Sequence, residues 1–256
     1  GLSSLDGIAR QIASREPQQL QPLNPTTAPE EIRTMLEAIN GLFQRVATTL
    51  DAERRFTADA AHELRTPLAA LQAQLQVALR ARDDDERERS LTQLQHGLSR
   101  ASHLVDQMLQ LARLDPESSL PDTQQVDLAI LAEEICAELG TAILDKNLDF
   151  DLQATPGCTI TGQPDWLCVL MRNLVDNAIR YTPPGGKIVV SLSEEQNSYR
   201  FTVSDNGLGI PAEERDAVLR RFHRLNHQEQ PGSGLGLSIV TRIAELHGAH
   251  LELGDG

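Results

Sequence analysis

The sequence predicts a multidomain chain: an all-α helical hairpin that pairs with a second copy as a dimeric four-helix bundle, followed by an α/β domain. Three observations carry this. Between residues 51 and 114, apolar residues recur at alternating steps of three and four. Beyond residue 125, helical stretches alternate with β-branched, strand-like runs. Within that second region an Asn-rich helix stripe is followed by two glycine turns. At 256 residues the chain has room for roughly two domains.

Composition narrows the function. Lys and Arg total 23 against 37 Asp and Glu, a net charge of −14. That argues against nucleic acid as a partner, because a phosphate backbone needs a basic face. A nucleotide remains admissible, since it needs only local cations and oriented N–H groups. Aromatic residues are 3% of the chain, so Leu, Val, Ile and Ala must build the cores. Cys136, Cys158 and Cys168 are odd in number and lack metal-ligand spacing, which points to a reducing compartment. No apolar run approaches the ~18 residues of a membrane span, and no signal peptide is present. The chain opens at Gly1 inside an amphipathic pattern, as a piece of a longer protein would.

The elements follow in order. Leu2, Leu5, Ile8, Ala9 and Ile12 suit a short helix over 1–15, and a Pro-, Gln- and Asn-rich linker covers 16–29. Pro29-Glu30-Glu31 fits a helix's first turn, where acidic groups meet the dipole; Ile32, Met35 or Leu36, Ile39, Leu42 or Phe43, Val46 and Leu50 continue it. Ala61, Leu64, Leu68, Leu71, Leu75 and Ala78 form one seam. After a charged turn at Asp83–Arg89, Leu91, Leu94, Leu98, Ala101, Val105, Met108 and Ala112 form another. One such αα-hairpin has too little apolar surface to close a core, so a homodimer is expected. An intramolecular coiled coil with no further role is the plainer alternative. Pro116–Asp122 reads as a linker. Helices near 127–144, 163–181 and 236–248 then accompany strands at Lys187–Ser193 and Tyr199–Ser204 and a last strand from about His250.

One histidine stands apart. If Ala61 lies on the seam, His62 and Glu63 fall just off it and face solvent. Thr66 lies four residues after His62 on the same face. Pro67 removes the hydrogen bond that would reach the Glu63 carbonyl, loosening the helix there. A neutral imidazole at His62 can attack a γ-phosphorus through one ring nitrogen while Glu63 accepts the proton from the other. Thr66 can position a water for hydrolysis of the product. His96 and His103 read as ordinary surface residues, and so do His223 and His227, whose i,i+4 spacing lacks a third metal ligand.

Asn173, Asn177, Arg180 and Tyr181 share one face of an otherwise apolar helix. Burying such a stripe is costly unless it meets a ligand. An Asn carbonyl can ligate Mg²⁺, and Arg180 can meet phosphate oxygens. Asp205-Asn-Gly207-Leu-Gly209-Ile210 ends a strand in a glycine turn, where Asp205 can accept a hydrogen bond from an exocyclic amine. Gly207-x-Gly209-x-x-Ala212 is a poor dinucleotide fingerprint, since Pro211 interrupts it and no acidic residue follows at the expected strand end. Gly232-Ser233-Gly234-Leu235-Gly236-Leu237 opens a helix whose free N–H groups suit polyphosphate. No Walker A motif occurs. Between the two glycine turns, Arg220, Arg221, Phe222 and Arg224 mark a lid. Together these elements predict a protein that binds ATP and phosphorylates its own histidine.

The residues closely resemble the bacterial two-component sensor histidine kinases. Phe56–Leu68 is similar to that family's H box, Asn173–Tyr181 to its N box and Asp205–Ile210 to its first glycine box. Arg221–Arg224 is similar to the F box and Gly232–Leu237 to the second glycine box. Residues 1–50 resemble a partial HAMP signal-relay segment. The Arg-Arg-Phe-Thr-x-Asp-Ala-Ala-His-Glu-Leu-Arg pattern is most similar to the QseC and PmrB type. The resemblance implies a dimerisation and histidine phosphotransfer domain over 51–115, a linker at 116–124 and an ATP-binding domain over 125–256 with the α/β-sandwich Bergerat (GHKL) fold. His62 would be the phosphoacceptor, Glu63 its acid–base partner and Thr66 the phosphatase residue. Asn177 would ligate Mg²⁺, with Asn173, Arg180, Tyr181 and Arg224 around ATP and Asp205 on adenine. Gly207, Gly209 and the Ser233–Leu237 stretch would complete the cradle. A response regulator receiver domain would be the partner, accepting the phosphoryl group on an aspartate. The parent would be anchored in the bacterial inner membrane with this portion cytoplasmic.

The sequence departs from the family pattern in places. Arg220 stands where the F box usually has Glu, His223 where it often has an aromatic, and Arg180 where Lys is commoner. The family's last glycine box and closing strand would follow Gly256. Two rival readings survive the sequence: an ATPase of the same nucleotide fold that does conformational work, and a non-enzymatic relay that only scaffolds a partner.

Overall fold

The computed structural model describes residues 30–114, 120, 122–196, 198–225 and 233–254. The helix expected at 1–15, the linker at 16–29, most of 116–122, and His227 lie outside the described residues. The chain divides into two units, Gly1–Thr66 and Pro67–Gly256.

Helix α1 runs without interruption from Glu30 to Arg80. It carries the apolar spacings of both the 32–50 and the 61–78 segments, because Asp51–Arg55 between them contains no Gly or Pro to stop a helix. Pro67 lies inside it, where it removes the hydrogen bond that would reach the Glu63 carbonyl. Helix α2 spans Asp84–Arg113. The charged turn expected at Asp83–Arg89 is therefore corrected, since only Ala81–Asp83 form the connection. The acidic run starts the helix instead. Asp83 accepts the Glu86 N–H at 2.7 Å, Glu86 Oε2 accepts the Arg82 N–H at 2.9 Å, and Asp84, Asp85 and Glu86 meet the positive helix end. The hairpin closes tightly at Gly97, where a Cβ would stand 2.8 Å from Leu71 Cδ2.

The α/β part begins with β1 (Gln124–Asp127), α3 (Leu128–Glu138) and α4 (Gly140–Asp145). The single helix expected over 127–144 is thus two helices that break at Leu139, preceded by a strand. Asp127 ends β1 and caps α3, accepting the Ala129 N–H at 2.9 Å. Strands β2 (Asp149–Ala154) and β3 (Thr159–Gly162) lead to α5 (Pro164–Tyr181). Gln163 caps α5 by accepting the Trp166 N–H at 2.6 Å, with Pro164 in its first turn. Then come β4 (Lys187–Glu195), β5 (Ser198–Asp205), a 3-10 turn at Ala212–Glu214, the short α6 (Arg215–Val218) and α7 (Gly236–Leu246).

Strand β4 pairs parallel with β2 and antiparallel with β5, giving a mixed sheet; β1 and β3 form a separate antiparallel ladder. Alternate residues of β4, Ile188, Val190 and Leu192, are fully buried. Ile188 and Val190 pack with Val175, Ala178 and Ile179 of α5 and Ile143 of α4. Leu192 packs with Ala132 and Ile135 of α3 and with Leu167 and Met171 of α5. Ile239, Val240 and Ile243 bury α7 against the same domain. The strand expected from His250 is not formed: residues 249–254 have no regular structure. That segment stays by β5 through an Arg200–Glu252 ion pair of 3.1 Å.

Candidate active site

His62 lies exposed on α1, and Thr66 is exposed one turn on. Glu63 is half-buried, where the helical pattern had it facing solvent. The helix supplies a reachable imidazole with a carboxylate next in the chain.

The residues expected at the nucleotide site come from α5, β5, the lid segment and α7, and the structure brings Gly236 to Asn173 and Asn177, Gly207 to Tyr181, and Gly234 to Phe222. Gly236 opens α7 against the α5 stripe: a Cβ there would stand 3.1 Å from Asn173 Oδ1 and 3.4 Å from Asn177 Nδ2. Glycine thus lets the N–H groups of the first turn of α7 lie beside the two amides. Asn173 Nδ2 donates to the Val169 carbonyl at 2.7 Å, which fixes the orientation of its amide. Asp205 ends β5 and accepts the Gly207 N–H through Oδ1 at 2.9 Å, holding the turn. A Cβ on Gly207 would stand 2.7 Å from the Tyr181 carbonyl, so the base turn packs directly on the end of α5. Gly209 has φ +66. Arg180 pairs with Asp176 at 2.8 Å, and Tyr181 is 42% exposed.

The lid is clasped at its base. Phe222 has φ +61 and donates its N–H to the Gly234 carbonyl at 2.9 Å. Gly234, at φ +68, has no room for a side chain: a Cβ would stand 2.7 Å from the Phe222 carbonyl carbon. The departure at His223 is accommodated, since its Nε2 meets Glu214 Oε2 at 2.9 Å. Arg224 is half-buried, and Leu235 is fully buried beneath the loop. Leu237 is half-buried in the first turn of α7.

One residue that sequence reasoning passed over sits in this site. Gln107 of α2 is 5% exposed; its Oε1 accepts from Ser233 Oγ at 2.6 Å and its Nε2 faces Asn173 Oδ1 at 3.4 Å. Arg242 Nε of α7 also donates to the Leu114 carbonyl at 3.3 Å. The end of α2 therefore uses polar atoms of the cradle. Nothing in the chain's periodicity marks Gln107, which stands among Leu104, Met108 and Leu111 as one more helical residue. Asp176, the Arg180 partner, was legible only as an i,i+4 pair.

The donor set suits a magnesium nucleotide. An amide oxygen is a hard ligand of the type Mg²⁺ accepts with phosphate oxygens and water. Backbone N–H groups at α7 suit phosphate, and the Asp205 carboxylate suits an amino group. Among the described residues no cluster of three His, Cys, Asp or Glu forms a separate metal site.

Comparison with known proteins follows the same division. Residues 2–48 match the PhoQ-like sensor protein HAMP domain, residues 52–117 the His Kinase A (phospho-acceptor) domain, and residues 162–256 the histidine kinase-, DNA gyrase B- and HSP90-like ATPase family. Sensor protein QseC of Salmonella typhi is 43% identical over 256 residues, covering 99% of this chain and 56% of its own. Sensor protein kinase PmrB of Pseudomonas aeruginosa is 40% identical over 257 residues, covering 100% and 54%. The chain spans about half the length of the curated relatives it matches. The solved histidine kinase ThkA in complex with response regulator protein TrrA has a TM-score of 0.63 at 22% identity, covering 79% of this chain and 57% of that one, and shares the fold. An exposed helical histidine, a three-part nucleotide cradle and these matches agree: the chain belongs to the sensor histidine kinases.

Proposed function

We propose that this chain is the cytoplasmic part of a sensor kinase that moves the γ-phosphoryl group of ATP to His62 and then to an aspartate of a response regulator receiver domain. The observation that carries this is the convergence of Gly236 on Asn173 and Asn177, with Asp205–Gly207 packed on Tyr181. One ring nitrogen of His62 forms the new N–P bond as the bond from the γ-phosphorus to the ADP oxygen breaks. Glu63 takes the proton from the other nitrogen and stabilises the imidazolium. Asn177 would hold Mg²⁺, which neutralises phosphate charge when bound. Arg180 reaches phosphate by exchanging its Asp176 partner, and Arg224 and the Ser233–Leu237 turn close around the nucleotide. Phosphate oxygens compete with Gln107 Oε1 for the Ser233 hydroxyl, so nucleotide binding loosens α2 from the cradle. Thr66 serves the reverse reaction toward the regulator by placing a water.

Residues 1–50 act as a HAMP-like relay, 51–115 as the dimerisation and phosphotransfer domain, 116–124 as linker and 125–256 as the ATP-binding domain. Homodimerisation is supported by Leu68, Leu75, Leu91, Leu98 and Val105, which stay 40–58% exposed at heptad spacing. Among the described residues no helix is long and apolar enough to cross a membrane. The relatives' names as sensor proteins support a parent anchored in the inner membrane, and the ThkA–TrrA complex supports a regulator as partner.

Incubation with γ-labelled ATP tests the proposal. Acid-labile, alkali-stable label that disappears in His62→Gln is expected. Label that survives the substitution would favour a different acceptor, and ATP hydrolysis with no labelled protein would favour the conformational ATPase.

A further inference from the structure

Lys146 follows α4, and no side chain assigned to ATP above is among its hydrogen-bond partners. Its Nζ nevertheless donates to three main-chain carbonyls, of Ile179 at 2.8 Å, Arg180 at 2.9 Å and Thr182 at 3.2 Å. These lie at the C-terminal end of α5, where carbonyls lack helical partners and the dipole is negative. The stitch is reinforced by main chain: the Lys146 carbonyl accepts the Gly185 N–H at 3.0 Å, and the Gly186 carbonyl accepts the Asp149 N–H at 2.8 Å. Thr182, inside this knot, is completely buried.

The clamped turn is the one that carries Arg180 and Tyr181. The Tyr181 carbonyl is also the surface on which Gly207 packs, and Gly207 in turn is bonded to Asp205. A shift of the α5 end therefore moves the turn expected to read the base. The choice of cation is informative. Lys146 and Lys187 are the two lysines among 23 basic residues. An ammonium has three donors spread as a tripod, which matches three carbonyls around a helix end; the planar fork of an arginine does not.

We propose that Lys146 is a positioning residue for nucleotide binding: its ammonium fixes the last turn of α5, and through the Tyr181 carbonyl the Asp205–Gly207 turn, in the geometry that ATP requires. This rests on the ATP site of the proposed function. The test uses the whole 256-residue chain below its unfolding midpoint, with ATP affinity from calorimetry and KM and kcat from autophosphorylation. Lys146→Met and Lys146→Arg are each expected to raise Kd and KM for ATP about tenfold, with kcat at saturating ATP within about twofold. Ile135→Val, buried in α3 away from these carbonyls, is expected to lower the melting temperature and leave Kd unchanged. Wild-type Kd in a folded Lys146→Met chain overturns the role of the lysine. Wild-type Kd in Lys146→Arg overturns it equally, should the methionine variant not fold. Equal loss of affinity in Ile135→Val also overturns it, by showing that general destabilisation suffices. A wild-type chain that binds no ATP overturns the proposed function along with it.

Discussion

The helical hairpin and the nucleotide domain use the same aliphatic residues and meet the burial problem in opposite ways. Along Pro67–Arg113, one row of Leu and Val stays about half exposed. In the nucleotide domain Ile188, Val190, Ile239 and Ile243 are 0–1% exposed. Two helices offer one stripe each and cannot cover both sides of it, whereas a mixed sheet with α3, α5 and α7 encloses its core within one chain. On the dimer proposed above, the hairpin is the part that a second copy completes, and the nucleotide domain is the part that should stand alone.

Substitutions can break this contrast at either end. Ile243→Ala leaves a cavity under α7 and is expected to destabilise the nucleotide domain by about 2–5 kcal/mol. Thermal unfolding should show a lower midpoint that does not depend on protein concentration. Leu98→Asp puts a charge into the exposed row. It should convert dimer to monomer by light scattering, while the unfolding of the nucleotide domain stays within about 0.5 kcal/mol of wild type. A concentration-independent loss for Leu98→Asp would mean that the row serves the single chain.

The boundary between the two regions offers a subtler test. Gln107→Ala removes the side chain that bonds Ser233 and faces Asn173. Losing bonds worth about 0.5–1.5 kcal/mol should raise ATP affinity roughly threefold to tenfold in calorimetry. Unchanged affinity would show that Gln107 does not compete with the nucleotide.

The smallest effect concerns Cys136 in α3. Burial pushes its thiol from 9.0 up to about 11. The folded state favours the neutral thiol, so stability from this group holds below about pH 9 and falls as pH rises toward about 11. At pH 8 a thiol reagent should modify Cys136 about a hundredfold more slowly in the folded than in the unfolded chain. Equal rates would show that α3 opens readily.

How much could be read in advance differs between the regions for a physical reason. Periodicity is local, so α1, α2, α5, β4 and β5 were legible from residue spacing. The charged run after Asp83 misled because the same acidic residues suit a turn and a helix start, and the capping bonds of Asp83 and Glu86 decide between them. Strand β1 was hidden because four residues carry too little alternation to separate them from a linker. In the nucleotide site the glycine boxes announced themselves through backbone demands that only glycine meets. Gln107 and Lys146 did not, because their partners lie 126 and 33 residues away in the chain. A polar side chain that acts across such a separation leaves no pattern around itself.

The central claim is that a nucleotide held by Asn177 and its neighbours supplies phosphorus to His62. Tandem mass spectrometry of the ATP-treated chain, under conditions that preserve phosphohistidine, tests it most directly. A phosphoryl group on His62 in the wild type, and none in Asn177→Ala, is the expected result. Phosphate on any other residue, or on His62 at wild-type level without the Asn177 amide, would contradict it.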